Sequence, residues 1–207
     1  MDVSALWQIR VRTPRLELRL PDEAELDELF RVALAGIHPP EEMPFAVAWT
    51  DDLDEEAFKT FHHETWKAWR PDAWSLNLVT FLDGKVIGSQ GVVAKSFAEK
   101  REVGTGSWLG MAFQRQGLGT EQRAAVLELA FRGLGANAAT SGALEGNVAS
   151  ARISEKLGYA FTGMSEIAPR GEPIPHSNFR LERSDWRCPV PVEIMGLDAA
   201  LPLFGLS

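Results

Sequence analysis

The segment Gln114-Arg115-Gln116-Gly117-Leu118-Gly119 is the part of the chain whose residue types and spacing most directly suggest chemistry. A strand pattern precedes it and a helical pattern follows it, so the unpaired amides of the first helical turn face outward at the positive end of the helix dipole. Such amides bind phosphate, and glycine lets a phosphate approach the backbone closely. The segment therefore predicts a pyrophosphate site, although a strand-to-helix turn that only contains two glycines would share the pattern.

Neighbouring residues narrow the kind of phosphate compound. The segment lacks the lysine and Ser/Thr of a nucleotide P-loop, and no long G-x-G-x-x-G fingerprint accompanies it. Nucleoside triphosphates and dinucleotides are therefore poor candidates. Arg115 and Arg123 are close enough in sequence to add positive charge locally, within a chain whose formal net charge is -8.

The elements that must position this segment can be predicted from the spacing of apolar residues. Asp22 suits the N-cap of a helix that ends near Gly36, and Asp83-Gly84 is a strong signal for a hairpin turn. Strands that first form a meander and then alternate with helices predict an α/β (α+β) domain with a mixed sheet covered by helices. The patterns place strands at 16–20, 75–82, 86–94, 102–111, 137–143, 159–164 and 178–181, and further helices at 53–69, 117–134 and 147–157.

Composition sets the broad class of protein. Hydrophobic residues make up 45% and charged residues 24% of the 207 residues, which is typical of a soluble globular domain. With 21 Lys and Arg against 29 Asp and Glu, the chain lacks the dense basic surface that nucleic acid requires. Cys188 is the single cysteine, and neither a signal peptide nor an apolar run of roughly 20 residues is present. We therefore expect a reducing, cytoplasmic setting and no membrane partner.

The spacing Gln114-x-x-Gly117-x-Gly119 resembles the Q/R-x-x-G-x-G/A motif of the GCN5-related N-acetyltransferases. The likeness continues in the same order across about residues 13–185 and is strongest to the RimJ/RimL-like branch, the ribosomal-protein N-terminal acetyltransferases. The segments that carry this likeness are Gly106-Ser107-Trp108-Leu109-Gly110, Leu129-Ala130-Phe131, Asn147-x-x-Ser150 and Glu155-Lys156-Leu157-Gly158-Tyr159.

A closer likeness is to actinobacterial proteins described as succinyl-CoA transferases. It raises the question whether the acyl group is succinyl or acetyl. The segments that carry it are His38-Pro39, Met43-Pro44-Phe45, Trp49-Thr50, Asp72-x-Trp74-Ser75-Leu76, Gly104-x-Gly106-Ser107-Trp108-Leu109-Gly110 and Pro202-Leu203-Phe204-Gly205.

The resemblance implies a single domain over residues 1–207, with a core at about 13–185 and a C-terminal extension, 186–207, packed on the body or on a second subunit. Its twisted, largely antiparallel sheet would contain one splayed parallel pair, formed by 102–111 and 137–143, with helices on both faces. An amine would attack the thioester of acetyl-CoA or succinyl-CoA directly, without an acyl-enzyme. The implied partners are acyl-CoA, an amine acceptor and further copies of the chain in a homodimer or higher oligomer.

The resemblance also assigns cofactor contacts. The pantetheine arm would lie between the splayed strands, and amides from Leu109 to Met111 would hydrogen-bond the thioester oxygen. Gly104 and Gly106 predict a bulge that re-aims one of these amides, unless they only relieve packing. The predicted cofactor-binding residues are Leu109, Met111, Gln114, Arg115, Gln116, Gly117, Leu118, Gly119, Thr120, Asn147, Ser150 and Lys156.

Proton transfer is assigned to two residues, Glu102 and Ser150. Family members usually have a glutamate where this chain has Gly104, so Glu102, on the same strand face, is the nearest carboxylate base; deprotonation through water is the alternative. Many members place a tyrosine at the position of Ser154. Ser150 shares a helix face with Asn147 and is instead predicted to contact the cofactor or protonate its sulfur, unless it serves to cap the helix.

The acyl and acceptor groups would meet a separate set of side chains. A succinyl carboxylate needs a cationic or multidonor partner, for which His38, Lys95 and Arg101 are candidates. A proline-stiffened loop with two aromatic residues and a methionine would wall the acceptor site, or else pack in the core. The candidate acyl or acceptor residues are His38, Met43, Phe45, Trp49, Lys95, Arg101, Gly104 and Gly106.

Two other functions stay open. A non-catalytic acyl-CoA-binding or regulatory protein fits the absence of the usual glutamate and tyrosine. An aminoglycoside N-acetyltransferase would need a strongly acidic cleft. No metal is expected at His62-His63, because adjacent helical residues point about 100° apart. The acidic residues that would serve an aminoglycoside site are Glu41, Glu42, Asp51, Asp52, Asp54 and Glu55.

Overall fold

The fold is built on one nine-stranded sheet in the order β7-β8-β6-β5-β4-β3-β2-β1-β9, seen in a computed structural model that describes residues 1–206. Within these residues every neighbouring pair is antiparallel except β5 and β6, so the sheet is mixed as the sequence predicts. The strands are Arg10–Arg12 (β1), Leu16–Arg19 (β2), Ala73–Leu82 (β3), Lys85–Lys95 (β4), Glu102–Leu109 (β5), Ala138–Leu144 (β6), Ala160–Ile167 (β7), Ile174–Glu182 (β8) and Glu193–Met195 (β9).

Local signals explain where the helices begin. Asp22 forms a capping box with Glu25 at the start of the first helix, and Asp54 and Asn147 cap two others. The fourth helix continues into a π-helical turn, Leu129–Gly133, and stops at Gly135, whose φ is +69°. The α-helices are Glu23–Leu34 (α1), Glu55–Lys67 (α2), Phe97–Lys100 (α3), Leu118–Glu128 (α4) and Val148–Lys156 (α5), with 3-10 turns at Ser4–Gln8, Met111–Phe113 and Asp198–Phe204.

Helices cover both faces of the sheet, which confirms the predicted class. On one face α4 bonds the sheet through Gln122, whose side chain accepts from Thr80 of β3 at 2.9 Å. Side chains alternate along a strand, so the other face is covered separately: α1 packs on β4 and α2 packs on β3. We call this second face the acceptor face. Thr65 of α2 lines a cleft there together with Gly104 of β5.

The sheet extends beyond the predicted core of 13–185. β1 pairs with β9, so residues near both ends of the chain form one edge of the sheet. Phe204 is fully buried, and its ring packs against Trp69 and Trp74. No helix in residues 1–206 is long and apolar enough to cross a bilayer.

Candidate active site

The central feature of the site is a gap between the parallel strands β5 and β6. Their pairing is limited to Glu102↔Ala138, Val103↔Ala139 and Gly104↔Thr140, although both strands continue past it. Beyond that point β5 stays with β4 and β6 stays with β8, so the two strands diverge. We call this opening the strand gap. It confirms the predicted splayed pair, with β5 ending at Leu109 rather than at Met111.

The strand gap forms without a bulge, contrary to the prediction for Gly104 and Gly106. The register of β4 against β5 runs without interruption from Gly88↔Leu109 to Val93↔Gly104. Gly106 provides space instead of a bulge, because a Cβ added there would meet no atom within 4 Å. The residue therefore leaves open space on the acceptor face, directly beside the gap.

The predicted phosphate segment turns into α4 as its glycine spacing requires. Gly117 has a φ of +78°, a conformation that side chains disfavour, and Arg115 also lies in the left-handed region at +62°. The first helical hydrogen bond is donated by Glu121 to the Gly117 carbonyl, at 3.1 Å. The amides of Leu118, Gly119 and Thr120 precede that bond, so they form an outward-facing anion site.

Several contacts fix the phosphate segment from the protein side. The Gln114 side chain donates to the carbonyls of Leu109 and Ile37, at 2.8 and 2.7 Å, and so links the segment to the end of β5 and to the chain that follows α1. Arg15 donates to the Gln116 carbonyl at 3.1 Å and forms an ion pair with Glu121 at 2.5 Å. Sequence reasoning missed Arg15, since about 100 residues separate it from the segment and no local pattern marks it.

The backbone amides proposed for the thioester oxygen are already engaged. Gly110 donates to the Ile87 carbonyl at 3.0 Å, and Met111 donates to the Gly36 carbonyl at 2.9 Å. The first bond continues the pairing of β4 with β5 by one position, and the second ties the chain to the residues that follow α1. The predicted contact of Met111 with the cofactor stays a prediction that this use of its amide does not favour. The buried Leu109 side chain faces the position of Gly119, where a Cβ would lie 3.7 Å from its Cδ1.

Arg123 lies beneath the strand gap and not at the phosphate segment, where its sequence position had suggested. Its guanidinium donates to Ser141 of β6 and Ser154 of α5 at 3.1 Å each, and to Ser107 of β5 at 3.2 Å. The side chain is 3% exposed, and burial lowers the pKa of the guanidinium. Within residues 1–206 no carboxylate pairs with it, and a buried cation without an anion is costly.

Helix α5 closes the other side of the gap. The Asn147 side chain caps it by accepting from the Ser150 amide at 3.1 Å and donates to the Pro44 carbonyl at 3.2 Å. The Ser150 hydroxyl donates to the Gly142 carbonyl of β6 at 3.4 Å, so it lies at the gap. Lys156 is exposed in the last turn and makes no side-chain hydrogen bond within the described chain, so nothing links it to the phosphate segment.

The loop between α1 and α2 reaches the acceptor face. Trp49 packs between Phe45 and Trp108 of β5, with ring centroids 5.2 and 5.8 Å apart, while Met43 is half-buried nearby in sequence. Both His38 ring nitrogens are used locally, one with the Pro39 carbonyl at 2.8 Å and the other with the Thr50 hydroxyl at 2.7 Å. His38 is therefore not placed as a free carboxylate partner.

A cleft of about 570 Å³ adjoins the closed end of the strand gap on the acceptor face. Lys95, Glu102 and Gly104 line it. Glu102 forms an ion pair with Arg180 of β8, and this pairing raises the pKa of the guanidinium. Arg101 is outside the cleft lining: it donates to the Leu134 carbonyl at 3.5 Å and covers the Phe97 ring, contacts that do not favour its predicted place at the acyl end.

The acetyltransferase (GNAT) domain family matches residues 15–160. The chain therefore belongs to the GNAT family, and it is an acyltransferase that uses acyl-CoA. Among solved structures it is similar to Mycobacterium smegmatis RimJ in complex with CoA-disulfide, at 16% identity, covering 86% of this chain and 88% of that one, with a TM-score of 0.69.

Two further solved structures share the fold. A RimL ribosomal-protein alpha-N-acetyltransferase in complex with coenzyme A is 14% identical over 82% of this chain and 95% of that chain, with a TM-score of 0.65. A GNAT acetyltransferase from Bacillus anthracis is 16% identical over 84% and 99%, with a TM-score of 0.67. The closer likeness to succinyl-CoA transferases stays a prediction.

Proposed function

We propose that the chain moves an acetyl or succinyl group from CoA to a primary amine by direct attack of the amine on the thioester. The observation that carries this proposal is the strand gap itself. At its open end lies the N-terminus of α4 with the free amides of Leu118, Gly119 and Thr120. At its closed end lies a cleft on the acceptor face. A linear cofactor with pyrophosphate at one end and a thioester at the other matches this arrangement.

On the leaving-group side, two residues have complementary roles. The Ser150 hydroxyl, at the Gly142 carbonyl, would approach the departing sulfur and donate a hydrogen bond to it. Arg123 would stabilise the negative charge that develops on that sulfur, because a buried cation acts strongly in a site of low dielectric. The anionic leaving group would in turn relieve the cost of burying the guanidinium alone.

Glu102 is less suited to the predicted role of base than its sequence position suggests. Its carboxylate is held in an ion pair with Arg180, so it is not free to approach the acceptor amine. Within our proposal Glu102 shapes the cleft through this pairing. Deprotonation of the amine then needs water or another side chain.

The donor would be decided in the cleft. Lys95 and Lys100 line it, so a succinyl carboxylate or an anionic group of the acceptor would find cationic partners there. Turnover with succinyl-CoA against acetyl-CoA tests the choice, with the substitution Lys95→Met as a probe. A preference for succinyl-CoA that Lys95→Met reduces would support the succinyl proposal. Equal or faster acetyl transfer would remove it.

A protein N-terminus or a small amine is the proposed acceptor, since one neighbour is described as a ribosomal-protein alpha-N-acetyltransferase. The aminoglycoside alternative is less favoured, because several of the acidic residues that it needs are engaged in other contacts. Asp51 is paired with Arg170 at 2.6 Å, Asp54 caps α2, and Glu55 is paired with Lys59 at 2.7 Å. These carboxylates are therefore partly neutralised or used for structure.

Free-thiol release with acetyl-CoA and a panel of amines tests the proposal against the non-catalytic alternative. The panel contains peptides with free N-termini, lysine, a polyamine and an aminoglycoside. We expect turnover with at least one peptide or small amine. Binding of acyl-CoA without turnover for every amine would instead support the regulatory protein, which the buried Ser154 at the usual tyrosine position also fits.

We further propose that the chain forms a homodimer or higher oligomer in the cytoplasm. Edge strand β7 exposes Phe161 at 58% and Met164 at 56%, an apolar surface that a second subunit would cover. Light scattering on the full chain checks the oligomeric state, and a monomer at micromolar concentration would contradict it.

A further inference from the structure

His176 of β8 lies at the rim of the strand gap, on the acceptor face. β8 pairs with β6 so that Leu144 is opposite His176 and Gly142 is opposite Asn178. The imidazole leans over Gly142: a Cβ added to that glycine would lie 2.1 Å from the ring Cε1 and 2.2 Å from Nε2. The ring can therefore occupy this position only because residue 142 has no side chain.

The hydrogen bonds of the ring favour one tautomer. Nδ1 lies 3.1 Å from Oδ1 of Asn178 and 3.4 Å from the Ser165 hydroxyl. Because an amide oxygen can only accept, the shorter contact places the proton on Nδ1. The Asn178 amide nitrogen donates to the Ser165 hydroxyl at 3.1 Å, which orients that amide. Nε2 has no hydrogen bond among the described residues, so its lone pair is free above Gly142.

The free nitrogen is at the level where the thioester would lie. Parallel pairing ends at Gly104 and Thr140, and two residues further along each strand are Gly106 and Gly142. A Cβ at Gly106 would meet nothing within 4 Å, so space is open across from the ring. On the other face the Ser150 hydroxyl bonds the carbonyl of the same Gly142. Two groups that can move protons therefore flank one residue of β6.

We propose that His176 is the general base of the amine transfer, an inference that rests on the proposed function. The ammonium group of the acceptor loses one proton to Nε2, which passes it to solvent. The nitrogen lone pair then forms the C–N bond and the C–S bond breaks. The second nitrogen proton is balanced by the proton that the CoA sulfur gains, so the products are an amide and free thiol.

Competing bases on this face are less available than His176. Both ring nitrogens of His38 are engaged, and Glu102 is paired with Arg180. The residues directly opposite His176 on the two neighbouring strands, Leu144 and Ser165, carry no charge. Imidazole is also the side chain best suited to accept a proton near neutral pH.

The test compares His176→Gln with His63→Gln, the same substitution at an exposed histidine of α2 that pairs with Glu23. Acetyl-CoA and the fastest amine of the panel are the substrates. For His176→Gln we expect kcat/KM for the amine to fall about 100-fold, with KM for acetyl-CoA unchanged, because a general base contributes on this order. His63→Gln should keep the wild-type rate.

A second variant separates proton transfer from structure. Added imidazole should restore amide formation in His176→Ala but not in His176→Gln, whose side chain still fills the site. The amide product is measured by mass spectrometry, because imidazole itself can accept an acyl group. If the wild type is active and His176→Gln keeps its rate within about threefold, His176 is not the base and the proposed function stands. If the wild type acylates no amine, the proposed function and the base both fail.

Discussion

The phosphate end and the acceptor face of this site are built in opposite ways. The phosphate end is one continuous segment, Gln114–Thr120, whose geometry follows from its own glycines and from the start of α4. The acceptor face is assembled from β5, β6, β8 and α2. Its polar groups come from separate elements, so no single sequence motif contains them. The cofactor class is thus encoded locally, whereas the chemistry of the acceptor depends on how distant strands meet.

A substitution at Gly142 tests most directly whether the acceptor face can be disabled without affecting the phosphate end. Gly142→Ala would place a methyl group 2.1 Å from the His176 ring and displace it, while leaving the phosphate segment untouched. We expect kcat/KM for the amine to fall about 100-fold, as large as the effect of losing the base. Steady-state thiol release, with acyl-CoA binding measured by calorimetry, checks both parts.

Gly106→Ala is the matched control for that change. Its methyl group would enter open space on the facing strand, so the fold and the His176 ring should be undisturbed. Any loss of kcat/KM in Gly106→Ala would therefore come from filling the site and not from displacing the base. The double variant Gly142→Ala/His176→Gln should be no slower than the slower single variant, because both substitutions disable the same base. Additive losses would mean that Gly142 acts independently of His176.

How far the sequence leads can be judged from individual residues. Asp22 and the Asp83-Gly84 turn were predictable because their effects are local: the aspartate caps α1, and the turn residues have φ of +50° and +75°. Gly117 is equally local. By contrast, nothing near His176 in sequence indicates that its ring rests on Gly142, 34 residues earlier.

The contacts at the site that differ from expectation have the same physical origin. Arg123 is only four residues beyond Gly119, about one helical turn, yet the helix points it beneath the strand gap. Met111 is next to the predicted cofactor loop, yet its amide is used by Gly36. Proximity in sequence gives position along an element, whereas the direction of a side chain or amide depends on the register of the packing.

Arg123→Met asks whether the cation beneath the gap belongs to the chemistry or to the fold. A methionine keeps much of the volume but removes the charge, so we expect kcat to fall about 50-fold through lost stabilisation of the leaving sulfur. The free energy of unfolding should change by less than about 1 kcal/mol, because a buried unpaired charge adds little stability. Unfolding by urea and single-turnover rates measure the two quantities. A large loss of stability with kcat preserved would make Arg123 purely structural.

The wall of the acceptor face should also be more sensitive to acid than the phosphate end. Burial, aided by the nearby His63, lowers the pKa of His62 in α2 to about 4 from 6.5. Because the unfolded chain binds the proton first, the stabilisation is complete above pH 6.5 and is lost as the pH falls toward 4. Between pH 7 and pH 5 we expect His62 to account for about 2 kcal/mol of lost stability.

Urea unfolding of the wild type and His62→Phe at both pH values checks this expectation. Acidic side chains contribute to the pH dependence of both proteins equally, so the difference between them isolates the histidine. His63→Gln removes the smaller of the two causes, so its loss of stability should be close to that of the wild type and no greater. Equal losses in the wild type and His62→Phe would show that His62 does not titrate in this range.

Arg15 should produce the smallest effect, and it probes how local the phosphate end is. Arg15→Ala removes the ion pair with Glu121 and the bond to the Gln116 carbonyl, and leaves the Glu121 carboxylate near the anion site. We expect KM for acyl-CoA to rise about 5-fold with kcat unchanged, because one partly exposed cation contributes modestly. Arg12→Ala, which removes an exposed arginine paired with Glu17, is the control. An unchanged KM in Arg15→Ala would mean that the backbone of Gly117–Thr120 alone holds the phosphates, and the contrast with the acceptor face would then be complete.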